Sequence, residues 1–358
     1  MRVLHAGNVD SGYVLAKELR KKGIEADFLT SKQMITGKYL SVNNPFDFDI
    51  ELKDSYPDWV HFYDVEKKGW KSFVLRTMRK YDFVHAYMEL PIFAMFSMKP
   101  YLAQSVGDDL RDLAFQKSIK GYLLRVAYRR AKAFIYEWPP HRPFVDKLGL
   151  KNAIFVPKPW DATKFIRKKI KKPNNQCLTV FHPLGQDWQT KGNDKFLKAF
   201  IRLCKEGKNI FLYYVDWGQD ADKARNLLTL PQVKGRIEII PGPIPREKII
   251  EYMEKSDILA DQFNSGSFTR MGIEASIFGM PLLVNLDEDL HLKLYGEIPP
   301  TINAKNDEEI YTKLKNLTES KDMLIEIGER AHEWAIKHYD LKKNVDKYIQ
   351  IYQDILGK

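Results

Sequence analysis

A glycine-containing loop between two apolar runs is the stretch of this chain most able to do chemistry. Its parts are a short apolar strand, a polar turn, a segment with helical apolar spacing and a second apolar strand: Ile258–Ala260, 264–267, 271–278 and 281–284. This order predicts a βαβ unit. Ligands of open α/β sheets lie at the carboxyl end of such a strand, where the free N–H groups of the helix start attract an anion such as a diphosphate.

Glu274 adds a carboxylate to this unit. It falls two turns into the predicted helix, where its side chain can face the loop and accept a hydrogen bond from a ribose hydroxyl. The alternative interpretation is a solvated surface glutamate.

The segment resembles the donor-binding segment of family 4 glycosyltransferases of GT-B architecture. The matching residues are Phe268, Glu274, Ala275, Gly279 and Pro281. In that family a glycine loop, a helical glutamate and a Gly-x-Pro hold the nucleotide of a sugar donor. The resemblance implies that the donor is bound by Gly266, Ser267, Phe268, Thr269, Arg270 and Glu274. One position departs from the family, which commonly carries a glutamate where this chain has Gly266.

A second loop of the family supplies a cationic pair that neutralises the leaving diphosphate. Lys191, followed by Gly192, matches the lysine of that pair, and the resemblance implies a catalytic role for it. One fixed ammonium against developing phosphate charge is worth roughly several kcal/mol in a water-poor site. The arginine of the pair is replaced by Gln186. We therefore expect lower activity, unless His182 or Arg270 takes its place.

Two residues of the N-terminal half match loops or strands that carry ligands in the family. Gly12 ends the predicted loop after the first strand, where the family binds acceptor or donor phosphate, although a plain tight turn is an equal alternative. Gly7 and Gly12 do not spell GxGxxG, which disfavours NAD. His85 lies in the predicted strand 81–87 and would face the ligand by resemblance. A lone histidine on an apolar strand is more often a core residue.

A third N-terminal element, residues 106–111, resembles the family motif HG-x-D-x-R. Val106 stands at the histidine position, whereas Asp109 and Arg111 match. The resemblance implies that Asp109 binds acceptor or donor hydroxyls and takes part in catalysis. The alternative is an N-cap for a helix that starts near Leu110.

Composition limits the remaining possibilities. The chain has 358 residues, of which 44% are hydrophobic and 29% charged, and is long enough for two globular domains. Its two cysteines, Cys177 and Cys204, form neither a disulfide framework nor a zinc pattern, which favours a reducing cytoplasm. We expect no signal peptide and no transmembrane helix.

Three DxD-like triplets occur, at residues 47–49, 220–222 and 287–289. Such a triplet binds Mg²⁺ or Mn²⁺ in the other large glycosyltransferase architecture. Three scattered matches argue for chance, so we expect no metal and no cofactor other than the nucleotide sugar as co-substrate.

The formal net charge of +10 requires an anionic partner or another explanation. Residues 117–132 contain six basic residues and no acid. On a helical wheel Lys117, Arg125, Arg129 and Lys132 share one arc, and Ile119, Leu123, Val126 and Phe134 lie on the other. This pattern favours an anionic membrane surface, hence a peripheral position on the inner face of the cell membrane. A solvated face is the alternative. Nucleic acid is disfavoured, because no RNP strand, zinc pattern or recognition helix occurs.

Strands alternate with helices over most of the chain, which predicts doubly wound parallel sheets. The resemblance implies a GT-B fold, in which two Rossmann-like domains face each other across a cleft. We expect an acceptor-binding domain at residues 1–165, with the C-terminal helix 341–358 packing back on it. Residues 176–340 are expected to form the nucleotide-sugar-binding domain.

The function that follows is a retaining, metal-independent glycosyltransferase of the hexosyltransferase type, active in glycan biosynthesis. It would move a sugar from a nucleotide-diphosphate sugar to a hydroxyl of a glycan or lipid-linked acceptor. Three alternatives remain open: a nucleotide-sugar epimerase, a sugar-phosphate phosphorylase, and a non-catalytic relative that binds a nucleotide sugar or a partner protein.

Overall fold

A computed structural model describes residues 1–7, 9–36, 56–160 and 177–357. The chain divides into a first unit, Met1–Trp160 with Tyr339–Lys358, and a second unit, Asp161–His338. The triplet at residues 47–49 lies outside the described residues.

The first unit contains a parallel sheet of seven described strands, with the order β3-β2-β1-β4-β5-β6-β7. The strands are β1 Arg2–Ala6, β2 Glu25–Ser31, β3 Val60–Tyr63, β4 Phe83–Tyr87, β5 Tyr101–Ser105, β6 Ala133–Tyr136 and β7 Ala153–Phe155. The described helices are α1 Val9–Lys21, α2 Lys32–Thr36, α3 Trp70–Met78, α4 Pro91–Phe96, α5 Asp108–Arg111, α6 Ile119–Arg130 and α7 Arg142–Leu148, together with the C-terminal helix α15 Leu341–Leu356.

Helices cover both faces of this sheet, so its central strands are nearly continuous apolar runs. On one face, α1 and α15 bury Leu19, Val345 and Tyr352 against the strands. The connections from β1 to β2 and from β2 to β3 run towards one edge of the sheet. Those from β3 to β4, from β4 to β5 and from β5 to β6 run towards the other edge. Because crossovers between parallel strands are right-handed, these connections place α3, α4 and α6 on the other face.

The second unit contains a parallel sheet of six described strands, with the order β10-β9-β8-β11-β12-β13. The strands are β8 Leu178–His182, β9 Ile210–Asp216, β10 Ile237–Pro241, β11 Ile258–Ala260, β12 Leu282–Val284 and β13 Ile302–Asn303. The described helices are α8 Asn193–Lys205, α9 Ala221–Leu228, α10 Arg246–Lys255, α11 Arg270–Phe278, α12 Glu288–Tyr295, α13 Asp307–Glu319 and α14 Asp322–Tyr339.

Both sheets are parallel, which confirms the predicted α/β class with two parallel-sheet domains. The predicted strand, loop, helix and second strand are also confirmed as β11, the loop 261–269, α11 and β12. Within the described residues, no helix combines the length and the hydropathy needed to cross a bilayer.

Two local predictions are wrong. Helix α6 is shorter than the wheel over residues 117–132 assumed, because Ser118 caps its start and the chain turns towards β6 after Arg130. Phe134 therefore lies in β6, not on the helix, and Ile119 is 81% exposed where the wheel placed it on the apolar arc. Gly12 lies inside α1, not in the loop before it.

Candidate functional site

In the sheet of the second unit, β8 lies between β9 and β11. The chain first adds β9 and β10 on one side of β8 and then adds β11 to β13 on the other, so the order of the strands reverses at β8. Ligands of open α/β sheets bind at such a switch point, outside the carboxyl ends of the strands. The loops that leave these two ends are residues 183–192 after β8 and residues 261–269 after β11. They contain Gln186 and Lys191 on one side and the predicted donor-binding loop on the other.

The two loops are joined directly. Phe263 N donates to Lys191 O at 2.6 Å, and Asn264 Nδ2 donates to Gln189 O at 2.9 Å. Gly192 has φ +66°, and a Cβ there would lie 2.6 Å from Asn264 Oδ1. Only glycine allows this approach, so the residue after Lys191 fixes how closely the loops meet.

The predicted donor-binding loop is held in place at its backbone. Gly266 has φ +69°, and its carbonyl accepts from Asp287 N at 2.8 Å. Ser267 O accepts from Gln262 Nε2 at 2.8 Å. Because Asp287 O can only accept, the Nδ1–H of His291 donates to it at 2.8 Å, and Nε2 faces Ser267 Oγ at 3.3 Å. A loop tied at consecutive residues is preorganised for a ligand.

The N-terminus of α11 meets a buried carboxyl group that the sequence did not single out. Thr269 caps α11 by accepting from Gly272 N, and its own N–H and hydroxyl donate to Asp261 at 2.8 Å and 2.5 Å. Asp261 is fully buried, and burial raises its pKa to about 6. A Cβ on Gly272 would lie 2.4 Å from Asp261 Oδ2, so glycine is needed there.

Glu274 is buried, with 1% of its surface exposed, so it is not the solvated surface glutamate of the alternative interpretation. Its Oε1 accepts from the guanidinium groups of Arg246 and Arg270, the latter at 3.3 Å. Arg246 begins α10 and Arg270 begins α11, so two helix starts converge on this carboxylate. Both arginine side chains are about one-fifth exposed.

Lys191 points its ammonium group back at its own loop. Nζ donates to Gly185 O at 3.1 Å and lies 5.8 Å from the centre of the Trp217 ring. Burial lowers the pKa of Lys191, while the carboxylates of Asp187 and Asp261 oppose that shift. The Asp261 carboxyl group therefore interacts both with the lysine and with Thr269 at the start of α11.

His182 and Gln186 belong to a buried, uncharged cluster. The Nδ1–H of His182 donates to Ala260 O at 2.9 Å, so Nε2 accepts from Gln186 Nε2 at 3.1 Å and from Asn193 Nδ2 at 3.0 Å. Burial lowers the pKa of His182 to about 4. His182 therefore stays neutral near pH 7 and does not replace the missing arginine. Gln186 Oε1 accepts no hydrogen bond from the described residues.

Gly12 and His85, two candidate residues of the first unit, contact residues of the same unit. A Cβ at Gly12 would lie 2.8 Å from the Phe28 ring, so this glycine lets α1 pack closely against β2. His85 is fully buried, donates to Gln104 Oε1 at 2.7 Å and accepts from Tyr352 OH at 2.6 Å, as expected of a core histidine. Its pKa is well below the usual value because of burial.

Asp109 lies within α5, which starts one residue earlier, so it is not the N-cap of a helix near Leu110. Its Oδ1 accepts from the N–H groups of Val106 and Gly107, and its Oδ2 accepts from Tyr128 OH at 2.6 Å. Burial raises its pKa. Arg111 is about half exposed and pairs with Asp108. Asp109 thus shapes its loop, and Arg111 is the accessible group there.

Sequence reasoning missed two buried carboxylates and one arginine. Asp261 directly follows β11 and Glu137 directly follows β6, and an acidic residue at the end of an apolar strand is a signal that could have identified both. Glu137 accepts from Ser11 Oγ and from Gln104 Nε2 at 2.7 Å. Arg246 carries no local signal, since it reaches Glu274 only through folding. Among the described residues, no group of three His, Cys, Asp or Glu side chains is placed to hold a metal ion.

No protein-family model matches this chain. An uncharacterized glycosyltransferase of Methanocaldococcus jannaschii is 23% identical over 197 residues, which cover 54% of this chain and 48% of that protein. This chain therefore spans about half the length of the curated relative that it matches.

Solved structures resemble the chain over its whole length. The Anabaena protein HepE in complex with UDP-glucose has a TM-score of 0.71 at 13% identity and covers 100% of both chains. Sucrose-phosphate synthase of Thermosynechococcus elongatus has a TM-score of 0.69 at 11% identity, again over 100% of both. A putative UDP-N-acetylglucosamine 2-epimerase of Listeria monocytogenes scores 0.61 at 14% identity, covering 99% and 96%. These likenesses show the fold, a two-domain GT-B-like architecture.

Proposed function

We propose that this chain is a glycosyltransferase that moves a sugar from a nucleotide-diphosphate sugar to a hydroxyl acceptor. The observation that carries the proposal is the pair of joined loops at the β8/β11 switch point. It brings a lysine, a helix N-terminus and a buried carboxylate to one edge of the sheet, which suits a diphosphate next to a ribose.

The donor nucleotide is assigned to the second unit. The amides of Ser267 and Phe268 and the ammonium of Lys191 would bind the diphosphate, and Glu274 would accept from the ribose hydroxyls. The amide of Thr269 already donates to Asp261 and is left out of this assignment. Support for the diphosphate site comes from the fixed backbone of the loop, and the ribose assignment rests on the resemblance to family 4. The solved relative HepE binds UDP-glucose, which makes a UDP-sugar the first donor to test.

In the transfer step the bond from the anomeric carbon to the diphosphate breaks and a bond to the acceptor oxygen forms. Lys191 would stabilise the charge that develops on the leaving diphosphate. The leaving diphosphate itself would take the proton of the attacking hydroxyl, so that the anomeric configuration is retained without a triad or metal. The retaining course, the hexosyl group, and an acceptor site at Asp109 and Arg111 rest on the resemblance to family 4.

A nucleotide-sugar-binding protein without transferase activity is the second candidate. It is favoured by the neutral cluster of His182 and Gln186, which leaves Lys191 without a cationic companion in its loop. Epimerisation is a further outcome to monitor, since one solved neighbour is named as a UDP-N-acetylglucosamine 2-epimerase.

The test is incubation of the purified chain with a panel of UDP-, GDP- and ADP-sugars, with glycan and lipid-linked acceptors. Sugar transfer that is lost in Lys191→Met supports the proposal. An epimerised sugar without transfer, or a ligand-induced melting shift without any product, would select one of the alternatives. No shift and no product with any nucleotide sugar would contradict all three.

A further inference from the structure

The positive charge of this protein is concentrated on three segments of the first unit. Residues 70–80, 91–100 and 116–132 together contain eleven Lys and Arg residues and no Asp or Glu. The rest of the chain contains 46 basic and 47 acidic residues and is nearly neutral. The formal net charge of +10 therefore belongs to these segments, not to the chain as a whole.

The three segments form one continuous layer, called here the basic layer. They contain α3, α4 and α6, and α4 packs against both of the others. All three helices cover the same face of the sheet, opposite to α1 and α15. Their outward sides therefore face the same direction, and nine of the eleven basic residues are exposed, the exceptions being Lys99 and Arg125. Among the described residues, only Lys120 of these basic groups pairs with a carboxylate, that of Glu89 at 3.2 Å.

Large apolar side chains project from the same layer. Of the twelve large apolar side chains that are exposed in the described part of the chain, five belong to it: Phe73, Phe96, Met98, Ile119 and Tyr122. Met98 is 87% exposed and Ile119 is 81% exposed, more than any of the others. An apolar side chain held in water beside basic residues is the composition that interfacial membrane-binding surfaces use.

Met98 adds a backbone observation. It has φ +64°, a conformation that glycine and asparagine adopt easily and that is uncommon for a bulky residue. An exposed side chain at a backbone position that disfavours bulky residues contributes little to the folded state of the isolated chain. Its presence is explained if the side chain is buried elsewhere, against another surface.

We propose that the basic layer docks on an anionic lipid bilayer, with lysines and arginines on the headgroups and Met98, Ile119 and their apolar neighbours in the interface. A nucleic acid would satisfy the charge but would leave Met98 and Ile119 in water, so the exposed apolar side chains favour lipid. The inference concerns the first unit only and does not depend on the proposed sugar transfer.

The test is co-sedimentation of the full chain with phosphatidylcholine vesicles that contain or lack phosphatidylglycerol. Strong binding is expected only to the anionic vesicles, and it should weaken as salt is raised. Two sets of variants separate the contributions of charge and of apolar insertion.

The charge set combines Lys71→Gln, Lys117→Gln and Arg130→Gln, three exposed residues of the layer. Each basic residue near an anionic surface contributes severalfold to partitioning, so the triple variant should bind about 100-fold more weakly. The matched control is Lys205→Gln with Lys234→Gln and Lys293→Gln, which removes the same charge from exposed positions of the second unit. The control should bind almost like the unaltered chain.

The apolar set is Met98→Asn and Ile119→Ser, each expected to lower vesicle binding about tenfold without changing its salt dependence. Asparagine tolerates positive φ, so Met98→Asn should melt no lower than the unaltered chain, and its binding loss would not come from unfolding. Leu292→Ser, at an exposed position of the second unit, is the control.

Three results would overturn the proposal. They are equal binding to neutral and anionic vesicles, equal losses in the layer variants and their second-unit controls, and retention on duplex DNA or RNA without vesicle binding. Sugar transfer in detergent solution is measured on the same layer variants. If they lose vesicle binding but keep sugar transfer, membrane docking and transfer are separate properties of the chain.

Discussion

Replacing Glu274 by glutamine should remove ribose recognition while leaving the shape of the site intact. The carboxylate is 1% exposed, and its Oε1 accepts from Arg246 and Arg270. A charge-assisted hydrogen bond to a buried group is worth about 1.5–3 kcal/mol, so the variant should bind a nucleoside diphosphate about 10- to 100-fold more weakly.

The same substitution should also lower stability. It removes the carboxylate that Arg246 and Arg270 share, and breaking a fully buried pair costs about 3–5 kcal/mol. Because both arginine side chains are about one-fifth exposed, we expect a smaller loss, about 2–3 kcal/mol, in urea unfolding. Glu319→Gln, which breaks an exposed pair with Lys208, is the matched control and should change stability by about 1 kcal/mol at most.

A comparison of two ligands separates ribose recognition from this general destabilisation. Calorimetric titration would use the nucleoside diphosphate that gives the largest melting shift, together with its 2′,3′-dideoxy analogue. The unaltered chain should prefer the ribose form about 10- to 100-fold, and Glu274→Gln should bind both forms nearly equally. If the variant keeps the full preference for ribose, the carboxylate only holds the two arginines and the ribose assignment is refuted.

Three further predictions follow from other residues. Lys191→Met should lower turnover more than nucleotide affinity, because its ammonium is assigned to charge on the leaving group. The control is Lys195→Met, which removes hydrogen bonds to Phe263 O and other carbonyls. It should lower stability without a selective loss of turnover. Asp261 has a pKa raised from 3.8 to about 6, because burial disfavours its charge in the folded state. Its contribution to stability is therefore lost as pH rises from about 4 through 6, and Asp261→Asn should flatten that part of the urea-unfolding profile. A variant that keeps the pH slope would contradict this. Tyr352→Phe removes the hydroxyl that donates to His85 and should cost about 1–2 kcal/mol in urea unfolding, with an unchanged nucleotide-induced melting shift; a lost shift would mean that this core network reaches the ligand.

The sequence predicted those parts of the fold that local patterns determine. The βαβ unit around Glu274 was predictable because an apolar run, a polar turn and a helical spacing follow one another, with Gly279 ending α11 at φ +81°. Neighbouring strands of a parallel sheet repeat the same pattern, which made the fold class predictable as well.

The errors came from boundaries and from contacts distant in sequence. Residues 117–132 look like one amphipathic helix, yet neither glycine nor proline marks the point after Arg130 where the chain turns towards β6. Gly12 looks like a turn residue, but it is needed where α1 approaches Phe28. The sequence alone does not distinguish a glycine in a turn from a glycine at a close contact between a helix and a strand.

The chemistry of the candidate site was only partly visible in the sequence. Lys191 and the donor-binding loop could be placed at strand ends, but Arg246 lies 28 residues from Glu274, and their pairing appears only in the fold. Asn193 and Ala260 likewise occupy both nitrogens of His182, so a histidine that looks available is already fully bonded. Sequence patterns show which groups are present, and packing decides which of them remain free for a ligand.

A crystal structure of the chain with a bound nucleoside diphosphate tests the central claim most directly. The diphosphate should lie at the amides of Ser267 and Phe268 and beside Lys191, with the ribose hydroxyls within hydrogen-bonding distance of Glu274. A nucleotide bound away from the β8/β11 edge, or one at that edge with its ribose turned away from Glu274, would contradict it.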